Sequence, residues 1–325
     1  MRLWSEESEE QRDEARAVVT AGMAAIAEAF AGQGEPPADM HERAFFARTS
    51  FAQTFPAAEG SGVDRELAGV PCRLFVPDGR ASAVYLHFHG GGMILGAPVM
   101  SDPANAALCR DHQLAVVSVD YRLAPEHPHP AGPDDGLAVA EWLLENAAET
   151  FGTDRLLIGG ESAGGYMAAA VLLRLRDELG AGDRVDGANL VFGVYDWGLS
   201  PSQRGVRATD GPDMLDPDGI AMFGECYLPG TTLEERRAPE ISPAFADLRG
   251  LPPALFSVGS ADHLLDDTLL MATRWVAAGN EADLFVAPDM PHGFQAFPCA
   301  ITTAWSRRTD EWFADILNRP ARAAG

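Results

Sequence analysis

The sequence predicts an α/β protein in which a mostly parallel sheet carries helices on both faces. Three observations predict it. Short apolar, β-rich runs recur at residues 72–76, 83–88, 114–119, 156–158, 190–194, 255–258 and 284–286. Most are continuously apolar, as strands buried on both faces are. Helical patterns at 134–146, 164–178, 264–278 and 302–317 fall between several of them, and such alternation builds parallel sheets. The third observation is size. The chain has 325 residues, 46% hydrophobic and 22% charged, and a chain of that length buries roughly three quarters of its unfolded surface. No repeat with a period of about 20–50 residues suggests a solenoid or propeller, so one large unit carrying an insertion is expected.

The elements follow in order. Residues 6–30 read as a helix, acidic in the first turn and then carrying Ala, Val, Met, Ile and Phe at helical spacing. Gly32, Gly34, Pro36 and Pro37 end it, and a second short helical patch spans 40–48. Residues 200–239 break the α/β rhythm with Gly205, Gly211, Pro212, Pro217, Gly219, Pro229 and Gly230. Ligands of open α/β sheets sit beyond the carboxyl ends of the strands, so an insertion after one strand is placed to roof a site. The expected division is a helical cap made of residues 1–50 and 200–239 over a catalytic core of residues 51–199 and 240–325.

Charge narrows the function classes. The chain has 24 basic and 48 acidic residues, a net charge of −24, and every basic side chain is arginine. Such a field repels polyanions and anionic membranes, so nucleic acid and membrane are excluded as partners and neutral or cationic small molecules are favoured. Cys72, Cys109, Cys226 and Cys299 lie far apart and form no CxxC pair, which argues against a zinc knuckle or a redox motif. The first residues lack a signal pattern and no apolar stretch reaches membrane-spanning length. A cytoplasmic location is the expectation.

The chemistry lies at strand ends. Residues 156–158 run into Gly160-Glu161-Ser162-Ala163-Gly164, and a helical pattern follows at once. This is the G-x-S-x-G elbow in its required context, where a sharp strand-to-helix turn presents a nucleophilic serine and flanking glycines avoid collisions. The run 83–88 ends in His89-Gly90-Gly91-Gly92. Glycines there let backbone N–H groups approach a tetrahedral oxyanion, and Gly91, Gly92 and Ala163 are the expected donors. A serine needs a histidine to take its proton, and the histidine needs a carboxylate to fix its tautomer. In this fold the chain order is serine, acid, histidine. Asp262 follows the run 255–258 and His292 follows 284–286, so both fall on post-strand loops.

Each position has a rival in the sequence. His263 adjoins Asp262 but points elsewhere on the same loop, while Asp266 and Asp267 suit the first turn of the next helix. His127 with His129, and His87 with His89, could be imagined as metal ligands, but no third ligand is spelled nearby. Loop packing and hydrogen bonding are the expected roles, and no metal or cofactor is expected.

With these residues in place, the sequence resembles the hormone-sensitive-lipase-like esterases of the α/β-hydrolase fold. The matching residues are His89-Gly90-Gly91-Gly92, Asp120-Tyr121-Arg122-Leu123-Ala124-Pro125-Glu126, Gly160-Glu161-Ser162-Ala163-Gly164-Gly165, Asp262, and His292-Gly293-Phe294. They run in family order from about residue 70 to the C-terminus. The resemblance implies a cofactor-free serine carboxylesterase with a lid made from the N-terminal helices and the insertion. Four positions depart from the family pattern. Met93 stands where an aromatic residue usually follows the glycines, Glu161 where Asp usually precedes the serine, Tyr166 where Asn is usual, and Asp262-His263-Leu264 where Asp-Pro-Leu is usual.

The reading is a serine carboxylesterase acting through an acyl-enzyme on short- to medium-chain carboxylic esters. The expected partner is a small-molecule ester, with a homodimer left open. One alternative is a deacetylase or amidase acting on a specialised metabolite, which uses the same acyl-enzyme and differs in leaving group and pocket. Another is a non-catalytic small-ligand binding protein of the same fold, which the presence of all three catalytic residues disfavours.

Overall fold

The computed structural model describes residues 8–54, 62–205 and 214–320. Two N-terminal helices come first, α1 (Glu9–Ala31) and α2 (Met40–Thr54). The sheet then begins with β1 (Val63–Leu67), β2 (Val70–Phe75) and β3 (Ala83–Phe88). Helix α3 (Asp102–His112), β4 (Leu114–Val119), α4 (Ala131–Phe151), β5 (Leu156–Glu161), α5 (Ala163–Leu179) and β6 (Val185–Val191) alternate after it. The segment between β6 and the next strand holds short helical turns and α6 (Pro217–Tyr227), and β7 (Ala254–Gly259), α7 (Leu265–Ala277), β8 (Ala282–Ala287) and α8 (Ala300–Asn318) complete the chain.

The eight strands lie in the order β1-β2-β4-β3-β5-β6-β7-β8. β1 and β2 pair antiparallel with each other, as do β2 and β4, and every pair from β4 to β8 is parallel. β3, β4, β6 and β7 are buried along their whole length, which is why β3, β4 and β7 read as largely apolar runs, whereas β6 carries the buried polar residues Asp186 and Asn189. The expected runs 83–88 and 114–119 match β3 and β4 at both ends.

Three differences from the sequence reading have physical reasons. The expected run 190–194 lies instead at Val185–Val191, because Asp186 and Gly187 interrupt the apolar pattern. Asp186 is buried as the partner of Arg155 at 2.8 Å, and a Cβ on Gly187 would sit 3.0 Å from Trp312 of α8. β1 was not expected, since four of its five residues are exposed and three are charged, as suits a sheet edge that must not recruit another strand. The polar helix α3 also escaped the reading. Its buried Asp102 holds Arg73 of β2 through a bidentate pair at 2.6 and 2.7 Å.

Helix α1 starts at Ser8, whose side chain accepts from the Gln11 N–H while the Gln11 side chain accepts from the Ser8 N–H. This capping box fixes the helix start. Ala15 and Val19 bury that helix against Phe294, Phe297 and Ile301. All four cysteines are buried and unpaired, and burial pushes the Cys72 thiol up to about 12.

Candidate active site

β5 ends at Glu161 and α5 begins at Ala163, so Ser162 alone makes the turn. Its φ of 57° and ψ of −118° place it in backbone space that L residues rarely adopt. The glycines around it allow the turn. A Cβ on Gly164 would sit 1.9 Å from the Phe88 carbonyl oxygen, and one on Gly160 would sit 2.2 Å from the same atom. Backbone cannot yield there as a flexible side chain could. The Ser162 N–H donates to Val191 O at 2.9 Å, tying the elbow to β6.

The structure brings the three candidate catalytic side chains into one chain of hydrogen bonds. Ser162 Oγ lies 2.9 Å from His292 Nε2, and His292 Nδ1 lies 2.9 and 3.1 Å from the two oxygens of Asp262. The carboxylate can only accept, so Nδ1 carries the proton and the Nε2 lone pair faces the serine hydroxyl. Asp262 is itself fixed, because one of its oxygens accepts from the Leu264 N–H at 2.8 Å. Phe192 meets the His292 ring edge-to-face at 4.7 Å and packs on Phe294 behind it. Asp289, on the loop that leads to His292, binds Arg12 at 3.0 Å and Arg16 at 2.6 Å, so α1 holds that loop from outside.

The glycine loop lies against the elbow: a Cβ on Gly90 would be 3.1 Å from Glu161 O. Gly91 and Gly92 have φ of 128° and 60°. A Cβ on Gly91 would strike Leu95 O at 2.1 Å, and one on Gly92 would strike the Phe223 ring at 2.4 Å. Among the described residues, the N–H groups of Gly91, Gly92 and Ala163 have no protein acceptor. His89 stacks on Tyr121 with ring centroids 4.3 Å apart and donates from Nδ1 to Gly90 O at 2.8 Å. Burial pushes it down to about 4, so it is neutral at ordinary pH.

The positions that depart from the family pattern have structural roles. Met93 is fully buried beneath the loop, where its methyl would lie 3.2 Å from a Cβ on Gly132. Glu161 accepts from His87 Nε2 at 3.2–3.3 Å, and His87 Nδ1 accepts from Ser118 Oγ at 2.8 Å. Tyr166 on α5 shares a 3.0 Å hydrogen bond with Tyr227 on α6 and packs edge-to-face on Trp197. His263 donates to Ser202 O at 2.8 Å, away from the serine.

The rival carboxylates are engaged elsewhere. Asp266 accepts from the Ser202 N–H. Asp267 accepts from the N–H groups of Tyr195 and Asp196, from Ser200 Oγ and from Gln203 Nε2, all at 2.8–3.0 Å. Burial nonetheless raises it to about 7. No group of three or more potential metal ligands occurs among the described residues. His127 and His129 flank Pro128, and the His129 ring packs against Tyr227.

Sequence reasoning missed Phe223 and Met214. Phe223 faces Gly92, and Met214 Sδ would lie 3.2 Å from a Cβ on Gly293, next to His292. Apolar residues in an irregular insertion carry no periodic signal, so only the folded chain shows which of them meet the site.

Residues 85–296 match the family described as the alpha/beta hydrolase fold. A solved hormone-sensitive lipase from a metagenome library superposes with a TM-score of 0.76 at 31% identity, covering 95% of this chain and 98% of that one. The chain belongs to the hormone-sensitive-lipase-like esterases of the α/β-hydrolase fold. Carboxylesterase NlhH of Mycobacterium tuberculosis is 37% identical over 248 residues, 73% of this chain and 75% of its own length. An acetyl-hydrolase of Streptomyces hygroscopicus is 34% identical over 221 residues, 66% of this chain and 68% of its own. Like its relatives in this family, the chain is a carboxylic ester hydrolase. No described helix is long and apolar enough to cross a membrane.

Proposed function

We propose that the protein hydrolyses short- to medium-chain carboxylic esters through an acyl-enzyme on Ser162. The observation that carries this reading is the hydrogen-bonded chain Ser162–His292–Asp262 beneath a glycine loop. Ser162 Oγ attacks the ester carbonyl carbon and His292 Nε2 takes its proton. Asp262 then faces an imidazolium that it stabilises. The carbonyl oxygen becomes an oxyanion that accepts from the N–H groups of Gly91, Gly92 and Ala163. Collapse breaks the bond to the alcohol, which leaves with the proton from His292. Water attacks the acyl-enzyme, gives one proton to His292, and the carboxylic acid departs as Ser162 regains its proton. No cofactor takes part in this scheme.

Residues 1–50 and 200–239 form the cap of this enzyme in our reading, and residues 51–199 and 240–325 its catalytic core, with 1–7, 55–61, 206–213 and 321–325 lying outside the described residues. Phe223 over Gly92 and Met214 over Gly293 support the insertion's part in that cap. They lie close over the glycine loop and the loop of His292, which favours small acyl groups. The name of the acetyl-hydrolase relative favours a second reading, removal of an acetyl group from a specialised metabolite. We place the enzyme in the cytoplasm, where four buried free thiols are stable. A homodimer is compatible with it.

Turnover of a p-nitrophenyl acyl series, with Ser162→Ala beside the wild type, tests the proposal. The variant should lose nearly all hydrolysis and all labelling by a fluorophosphonate probe while keeping its fold. Undiminished hydrolysis, or labelling at Ser118 or Ser260, would place the nucleophile elsewhere.

A further inference from the structure

Helix α2 sends one guanidinium into the two loops that carry and support the glycine motif. Arg48 Nε donates to Ile94 O at 2.9 Å, and Nη2 donates to Ala124 O at 3.0 Å. Nη1 and Nη2 also grip the Glu126 carboxylate in a fork at 2.9 Å. The carboxylate is half exposed, so the ion pair adds little, and the two part-buried carbonyl contacts are what tie the guanidinium to the loops. The pairing also holds the Glu126 carboxyl below its ordinary range.

The Ile94 carbonyl matters because of what precedes it. The N–H groups of Ile94 and Leu95 donate to Gly91 O at 3.0 and 2.8 Å, which closes a turn around the glycines. Gly91, Gly92 and Met93 are three consecutive residues with positive φ, at 128°, 60° and 66°. Backbone of this kind, Met93 above all, persists only where its surroundings over-determine it. From the second loop, the Ala124 N–H donates to Met93 O at 2.9 Å. Ala124 therefore gives a hydrogen bond to Met93 through its N–H and takes one from Arg48 through its carbonyl, while Arg48 gives another to Ile94. The guanidinium closes that ring.

We infer that Arg48 is a positioning residue for ester hydrolysis, holding the Gly91–Ile94 backbone so that the Gly91 and Gly92 N–H groups converge on the oxyanion. All four of these hydrogen bonds end on loop backbone or on Glu126, and it acts through the loop and not on the ester. The inference rests on the hydrolytic reading above.

The test compares Arg48→Ala, Arg48→Lys and Glu126→Gln with the wild type, using p-nitrophenyl butyrate and a fluorophosphonate probe. Arg48→Ala should lower kcat by about 10- to 100-fold with KM within about threefold, because a misplaced donor is felt in the transition state. Labelling of Ser162 should slow by a similar factor, since phosphonylation places an oxygen in the same hole. Added guanidinium ion should restore part of the loss. Lysine has no fork and cannot serve both carbonyls in one plane, so Arg48→Lys should remain at least about fivefold below wild-type kcat. Glu126→Gln keeps both carbonyl contacts and should stay within about threefold of wild type.

Wild-type kcat in Arg48→Ala overturns the inference, and so does an equal loss in Glu126→Gln, which would reduce Arg48 to an ion-pair staple. A loss that follows only the melting temperature, with unchanged labelling and no response to guanidinium, also overturns it. If Arg48→Ala does not fold, wild-type kcat in Arg48→Lys has the same force. Absence of Ser162-dependent hydrolysis in the wild type itself would instead bring down the hydrolytic reading, and the role of Arg48 with it.

Discussion

Replacing Asp262 by Asn changes one atom and should reverse the direction of a proton. In the native chain one carboxylate oxygen accepts from the Leu264 N–H at 2.8 Å and both face His292 Nδ1. An asparagine must keep its single oxygen toward Leu264, or leave that buried N–H without a partner. Its NH2 group then points at Nδ1, which can face it only as an acceptor. The imidazole proton moves to Nε2, where it faces Ser162 Oγ, and the base becomes a donor to the group it should deprotonate. Loss of the correct tautomer together with the charge that stabilises imidazolium should lower kcat by about 10³–10⁴-fold, or about 4–5.5 kcal/mol of barrier. The remaining activity reflects the oxyanion donors and binding. Steady-state kinetics on p-nitrophenyl butyrate, with circular dichroism to confirm the fold, measures the effect. The reasoning fails if Asp262→Asn keeps more than about a tenth of wild-type kcat, or if folded Asp266→Asn or Asp267→Asn is the more damaging change.

Other outcomes follow from features of the same structure. Phe223→Ala removes the ring that Gly92 faces, and the octanoate-to-butyrate ratio of kcat/KM should rise about tenfold; an unchanged ratio would show that Phe223 does not bound the acyl group. Burial holds His89 at about 4, below the ordinary histidine value of about 6.5. The unfolded chain therefore takes up a proton that the folded chain refuses, and this share of stability is lost as pH falls from about 6.5 toward 4, by about 2–3 kcal/mol. Asp267, raised to about 7, has the opposite sign, since its contribution is present at low pH and is lost as pH rises toward 7. Urea unfolding of wild type and His89→Asn at pH 7 and 4.5 isolates the histidine: the variant should lose less on acidification, and equal losses would contradict the assignment. With a net charge of −24, a neutral ester should be hydrolysed faster than a carboxylate-bearing ester of matched size, and salt should narrow the gap. Faster hydrolysis of the anion, weakened by salt, would point to a local arginine of the insertion such as Arg204, while Arg207 of the same segment lies outside the described residues.

The parts of this architecture that were legible in the sequence are those where local chemistry and tertiary structure agree. β3 and β4 are apolar except for His87 and Ser118, which satisfy each other, because both faces are covered, so composition alone marked their ends. The GESAG and HGGG segments were legible because glycine is required wherever Phe88 O, Leu95 O or Phe223 would meet a Cβ. β6 was misplaced because the buried Asp186 is legitimate only with Arg155 beside it, and Arg155 lies 31 residues away in sequence. The hub role of Asp267 was illegible for the same reason: a carboxylate in a first helical turn looks like a dipole partner until four donors from the segment 195–203 are seen around it. Arg48 stood at the end of an expected helix with nothing local to show that two distant carbonyls and Glu126 awaited it.

The four buried thiols have a practical meaning when set beside the arginine-only basic surface. Every cysteine is within the described, buried part of the chain, and no lysine exists to offer a side-chain amine. Burial raises the Cys72, Cys109 and Cys226 thiols and so suppresses their thiolates. A single cysteine introduced at an exposed position such as Phe45 or Val276 would therefore be the one reactive thiol that maleimide chemistry meets on the folded surface. The native chain is already a minimal background for attaching a fluorophore or a solid support at one chosen place, without first removing any of its own residues.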